Sequence, residues 1–100
     1  MKLTGQAKVK ITRWLIDDYP VQDVGWKWFI CLDASLQWGV LQLFADSEGH
    51  ELYTCKEEYN FFWSVERPDG KTLSDTEGMT PTRPEAWEEA IKKLNEILNQ

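Results

Sequence analysis

His50 is the chain's only histidine, and Cys31 and Cys55 are its only thiols, while Asp17–Asp18 and Glu57–Glu58 set carboxylates side by side. These are the residue types that could carry nucleophilic, metal or acid–base chemistry. A Cys–His nucleophile needs the imidazole within hydrogen-bond reach of the thiol and a third group to hold it. Five residues of extended chain would put Cys55 ~16 Å from His50, and Cys31 is expected to be buried, so His50 reads as a structural or solvent-facing turn residue. One histidine and two scattered cysteines lack the paired spacing of a zinc site, and no D-x-D-x-D-G loop is present for calcium. Phosphate-cradling, dinucleotide and nucleophile-elbow glycine motifs are missing as well. Adjacent acids in extended turns point in opposite directions, so neither pair makes an acid/base dyad. The expectation is a protein with no catalytic residue, no cofactor and no metal, and not an enzyme.

Recognition is the chemistry the residues suit better. The stretch RWLIDDYPVQDVGWKWF interleaves large rings with aspartates. Rings supply desolvated anchor area and cation–π contacts, and acids steer the approach of a basic surface. Trp14, Asp17, Asp18, Tyr19, Asp23 and Trp26 are therefore the candidate protein-binding residues. The competing reading makes Trp14, Trp26 and Trp28 core rings on facing strands, with the aspartates as solvated turn residues. The chain holds six tryptophans, more than one sheet–helix seam readily covers, which favours the binding reading.

The charge distribution agrees with a basic partner and argues against nucleic acid. The net charge is −6; the bases Lys2, Lys8, Lys10 and Arg13 are gathered near the N-terminus, and the middle of the chain is acidic. An acidic field repels phosphate backbones, so no direct nucleic-acid binding is expected. MKLTGQAKVKITRW lacks a continuous apolar run and a small-residue cleavage pattern, and no apolar stretch approaches the ~20 residues needed to span a bilayer. A cytoplasmic location is expected, with Cys31 and Cys55 reduced because cytosolic thiols are kept so, and without a C-x-x-C spacing they carry no redox signature.

The elements that must position these residues read mostly as strands. A length of 100 residues suits a single domain. From Ala7 to Leu15, apolar Ala7, Val9, Ile11 and Leu15 alternate with Lys8, Lys10 and Thr12, the period of a half-buried strand. DDYP then turns, and Trp26–Leu32, apolar on both faces, reads as an interior strand. WGVLQLFA (38–45) fits a strand followed by a hairpin turn at ADSEGHE; its alternative is a helix capped by Asp33 or Ser35 that aligns Leu36, Val40, Leu43 and Phe44. Gly39 and Val40 lower helix propensity and favour the strand. ELYTC (51–55), FFWSVE (61–66) and a short strand at 71–73 after the RPDGK turn complete the sheet. Phe44, Gly49 and Leu52 match Val65, Gly70 and Leu73 in spacing, a likeness attributed to shared turn chemistry.

The last element is the clearest. In TRPEAWEEAIKKLNEILNQ, Thr82 and Glu85 have capping-box spacing and Pro84 sits in the first turn. Ala86, Trp87, Ala90, Ile91, Leu94, Ile97 and Leu98 form one apolar stripe, and Glu88–Lys92 and Glu89–Lys93 are i,i+4 pairs. A helix over about 83–99 is expected, after a polar loop at 74–82. The segment FFWSVERPDGKTLSDTEGMTPTRPEAWEEAIKKL resembles the strand, acid–Gly turn, short strand, loop and helix ending of small phage- and prophage-type orphan proteins, over about a third of the chain. The resemblance implies a small accessory or host-interacting protein and transfers no catalytic residue. Together these readings predict an α+β fold: a mainly antiparallel meander of five or six strands spanning about 7–74, with one C-terminal helix on one face. The expected function is a non-enzymatic acidic protein-binding module, of inhibitor or immunity type, monomeric or homodimeric. The alternatives are a small-molecule binder with an aromatic-lined cavity between sheet and helix, and an enzyme with an unrecognised site.

Overall fold

The computed structural model describes residues 3–19, 24–74 and 80–100. The fold is α+β, but the five- or six-stranded meander is not formed. The order is α1 (Gly5–Asp17), α2 (Trp26–Ile30), α3 (Ala34–Ser47), β1 (Glu51–Glu57), β2 (Asn60–Glu66), β3 (Thr72–Ser74) and α4 (Arg83–Leu98). The strands make one three-stranded antiparallel sheet in sequential order. Each segment expected as a strand before residue 51 forms a helix instead, apart from residues 31–32, which turn.

The physical reason is visible in α1. Leu3, Ala7, Ile11 and Leu15 are all at most 3% exposed, a spacing of four that lines one helix face. Val9, which completed the alternating pattern, is 50% exposed. Arg13, exposed at the position where alternation needed an apolar residue, was the signal against a strand. Trp26–Ile30 is likewise one short helix, with Phe29 buried and Ile30 half exposed.

In α3 the helical alternative holds, and Asp33 is its N-cap: the Leu36 N–H donates to Oδ1 at 3.0 Å and the Ser35 hydroxyl at 2.8 Å. These bonds hold the Asp33 carboxyl below its usual range. The buried face is Gln37, Trp38, Val40, Leu41, Phe44 and Ala45, so Leu36 and Leu43 are left outside. The Gln37 amide donates to the Phe29 carbonyl at 3.1 Å and ties α3 to α2. ADSEGHE is a helix stop rather than a hairpin turn. Gly49, at φ +81°, lets its own N–H reach the Asp46 carbonyl while the His50 N–H reaches that of Ala45 at 2.8 Å, a Schellman arrangement. Gly70 has a similar φ of +85° inside the expected Arg67–Lys71 turn, where the Gly70 N–H donates to Arg67 O. The likeness of the two segments is thus one backbone requirement met in two different elements.

The second half follows its sequence closely. Thr82 Oγ1 accepts from the Glu85 N–H, Pro84 lies in the first turn, and Ala86, Ala90, Ile91, Leu94 and Leu98 are buried. On the exposed face Lys93 reaches Glu96 at 3.0 Å. The helix packs on the sheet face that carries Leu52, Trp63 and Val65, all buried. Most of the expected 74–82 loop lies outside the described residues.

The two ends of the chain are clamped together. Asn99 Oδ1 accepts from the Gln6 N–H at 2.7 Å, Asn95 Oδ1 accepts from the Thr4 N–H at 2.9 Å, and Asn99 Nδ2 donates to Thr4 O at 3.0 Å. The first amides of a helix have no partner within it. Thr4 makes no side-chain cap of its own; side chains from the end of α4 satisfy α1 instead.

Candidate functional site

The candidate residues converge where α1 ends and α2 passes. Trp14, in the last turns of α1, stands with its ring centroid 5.3 Å from Tyr19 and 5.6 Å from Phe44 of α3, and Tyr19 stands 5.6 Å from Trp28 of α2. These are tilted contacts of the kind aromatic pairs prefer. The chain reverses tightly here because the Asp18 and Tyr19 N–H groups both donate to Trp14 O, at 2.8 and 3.0 Å. Trp26 packs 5.5 Å from Phe29, and the Lys8 ammonium lies 4.9 Å over its ring. That face of Trp26 already holds a cation from its own chain.

All six tryptophans pack on the core: Trp38 and Trp63 are buried, at 7% and 4% exposure, and Trp14, Trp26, Trp28 and Trp87 are partly buried against them. The molecule accommodates five of them in two indole seams, the α1–α2 corner and the Trp38–Trp87 stack at 6.0 Å, and the sixth, Trp63, on β2. Asp17 and Asp18 are exposed beside the corner; Asp23 lies outside the described residues. Of the named set, then, Trp14 and Tyr19 form the wall, Trp26 is engaged with Lys8, and the two aspartates face solvent.

What the sequence reading missed is Ile16, 66% exposed next to Asp17. It belongs to a shallow groove of about 390 Å³ along the outside of α1, lined by Lys8, Val9, Thr12, Arg13, Ile16 and Asp17. Its signal was available: Val9 and Ile16 lie seven apart, on the helix face opposite Ala7 and Leu15. Electrostatically the corner is unfinished. The last turn of α1 contains no base, and neither Asp17 nor Asp18 takes part in an ion pair among the described residues. A helix C-terminus carries the negative end of the macrodipole and disfavours anions.

Of the two roles expected for His50, structural or solvent-facing, the burial fits the structural one: it is only 8% exposed. It lies in a cleft of about 350 Å³ with Lys10, Glu48, Arg67, Asp69 and Leu98. Its Nδ1 lies 3.2 Å from Glu48 O, and its Nε2 is buried with no partner. A neutral ring donating from Nδ1 satisfies this geometry. Desolvation pushes the His50 pKa below its ordinary 6.5, the Glu48 carboxylate opposes the shift, and Arg67 and Lys10 add to it. The unfolded chain therefore binds the proton more tightly than the native one. Stability is expected to be full above pH 6.5 and to fall as the pH drops from there toward the lower native value. Thermal unfolding of wild type and His50→Gln across that window checks this: the variant keeps a side-chain donor but should lose the slope.

Among the described residues no group of three or more His, Cys, Asp or Glu side chains could hold a metal ion, no helix is long and apolar enough to cross a membrane, and both cysteines are free, Cys31 exposed. No protein-family model matches the chain, and no curated protein or solved structure matches it either. Nothing in these comparisons bears on the resemblance to phage-type proteins.

Proposed function

We propose that the protein is a non-enzymatic, acidic protein-binding module that docks a basic partner surface on the C-terminal corner of α1. The observation that carries this reading is the pair Asp17 and Asp18, exposed at a helix C-terminus with no base in the last turn, beside an isoleucine that is 66% exposed. Carboxylates in that position are held against the helix dipole, and an arriving Lys or Arg side chain relieves both the dipole and their mutual repulsion. Ile16 supplies the apolar anchor, and the Trp14–Tyr19–Trp28 wall keeps the corner rigid, which limits the entropy lost on docking. Net charge of −6 adds long-range attraction for a basic partner, while Lys8 and Arg13 on the same groove confine the close approach of its cations to the Asp17–Asp18 end.

The stability consequence comes first. Replacing both aspartates by Asn removes charges that oppose the helix dipole, so Asp17→Asn/Asp18→Asn should raise unfolding free energy by about 0.3–1 kcal/mol per site at low salt, measured by urea denaturation. Binding is tested with an alternating lysine–leucine peptide, and a glutamate–leucine peptide as control, followed by amide shifts and tryptophan emission. The basic peptide is expected to shift the amides of residues 16–19 and the summed tryptophan emission, and its binding to weaken with added salt and in the double variant. Equal binding of both peptides, or of the basic peptide to wild type and double variant alike, overturns the proposal. The sheet–α4 seam, where an aromatic-lined ligand cavity was the alternative, is occupied by the buried side chains of Trp63, Val65, Ala86, Ala90 and Leu94.

A further inference from the structure

Among the described residues β1 is an edge strand, paired only with β2. Which of its backbone groups face outward follows from two independent contacts. Phe61 exchanges both its backbone hydrogen bonds with Thr80, at 2.8 and 3.0 Å. Phe61 thus faces away from β1, and its cross-strand partner Lys56 must face away from β2, because opposed residues of an antiparallel pair either both bond inward or both bond outward. At the other end, Leu52 O accepts from the Gln42 side chain of α3 at 3.3 Å, so Leu52 also faces outward. By the two-residue period Thr54 does the same. The N–H and C=O of Thr54 and Lys56 form an open edge with no partner among the described residues, while Gln42 closes the edge at Leu52.

We infer that this edge pairs with its own copy across a two-fold axis, β1 antiparallel to β1, with Cys55 facing Cys55 of the second molecule. The register is selected by elimination. Centring on Thr54 would require the Leu52 carbonyl that Gln42 occupies and would set Glu51 opposite Glu57. Centring on Lys56 sets two lysines face to face and calls on Glu58, whose φ of +53° takes it out of the strand. Centring on Cys55 pairs Thr54 with Lys56 and Tyr53 with Glu57, places no like charges directly opposite, and uses only the groups that are free. On the outer face Cys55 lies opposite Phe62 and Tyr53 opposite Ser64. Pairing therefore continues an apolar row, Phe62–Cys55–Cys55–Phe62, across the axis, and covers part of Tyr53, which is 52% exposed. An unpaired, partly apolar edge is otherwise a site of uncontrolled association; self-pairing closes it with an isologous contact that cannot propagate.

Two measurements on the full chain test this. In sedimentation equilibrium the mass should rise from 11.7 kDa toward twice that value with concentration, and Thr54→Pro should stay at the monomer mass. That proline removes an outward N–H and no bond to β2; circular dichroism checks that the variant is folded. The second measurement needs no edge variant. Single-cysteine chains Cys31→Ser and Cys55→Ser are oxidised with diamide, the two thiols giving two protons and two electrons to the diazene, which becomes a hydrazine. In the inferred register the Cys55 pair is non-hydrogen-bonded, ~4.5 Å between Cα atoms, within bridging range. The chain retaining Cys55 should dimerise at least about tenfold faster than the one retaining the more exposed Cys31, because pairing raises the local thiol concentration. Crosslinking at Cys31 as fast as at Cys55, a monomer at millimolar concentration, or a folded Thr54→Pro dimer overturns the inference. None of these readouts touches the α1 corner.

Discussion

Phe44→Ala should lower the unfolding free energy by about 3–5 kcal/mol, the range for truncating a fully enclosed aromatic ring. Phe44 is 0% exposed, sits at the end of the buried face of α3, and stands 5.6 Å from Trp14. Removing it withdraws apolar area from the core and leaves a void behind the Trp14–Tyr19 wall, which a close-packed interior collapses only in part. The site is thereby coupled to the core. Chemical denaturation should show the lower midpoint, and the summed tryptophan emission of the still-folded variant should shift as the Trp14 ring gains freedom. A loss under about 1 kcal/mol would contradict a packed interior at this position. Phe44→Leu, which restores most of the volume, should recover much of the loss.

Gly5→Ala is expected to cost about 2–3 kcal/mol, the sum of a left-handed backbone penalty and a damaged helix cap. Gly5 has a φ of +57°, and a Cβ there would meet Asn99 Oδ1 and Cγ. The oxygen is held in place by the Gln6 N–H, so it cannot move aside without uncapping α1. Asn99→Ala alone should cost about 1–2 kcal/mol, as capping residues do. The pair is therefore non-additive: in the Asn99→Ala background the glycine substitution keeps its backbone strain but loses its collision. A double-mutant cycle by urea denaturation should give a coupling of about 0.5–1 kcal/mol. Strict additivity would mean that the two helix ends do not touch.

Both results depend on contacts between residues far apart in the chain, and this separates what was legible in the sequence from what was not. The α4 helix, its Thr82 cap, the strands expected at 51–55 and 61–66, which the structure extends to 51–57 and 60–66, and the Arg67–Lys71 turn were legible, because each rests on local chemistry. A capping hydroxyl meets an amide three residues on, a proline fixes one dihedral, and a glycine takes a positive φ. The stripe Ala86–Leu98 also needed no outside information, since its period excludes a strand.

The first half was ambiguous at the same local level. Ala7, Ile11 and Leu15 satisfy a spacing of two and a spacing of four alike, and Gly39–Val40 weakens α3 by an amount that burial of Leu41, Phe44 and Ala45 outweighs. Only the assembled core settles such cases. α1 begins where Asn95 and Asn99 arrive to cap it, and α3 is held by the Phe29 carbonyl and the Asp33 carboxylate. The candidate site divides in the same way. Sequence alone placed carboxylates and rings near one another; tertiary packing drew the indoles onto the core, left Ile16, Asp17 and Asp18 outside, and enclosed His50. Local bonding is written in neighbouring residues, whereas exposure depends on which faces the whole chain can cover at once.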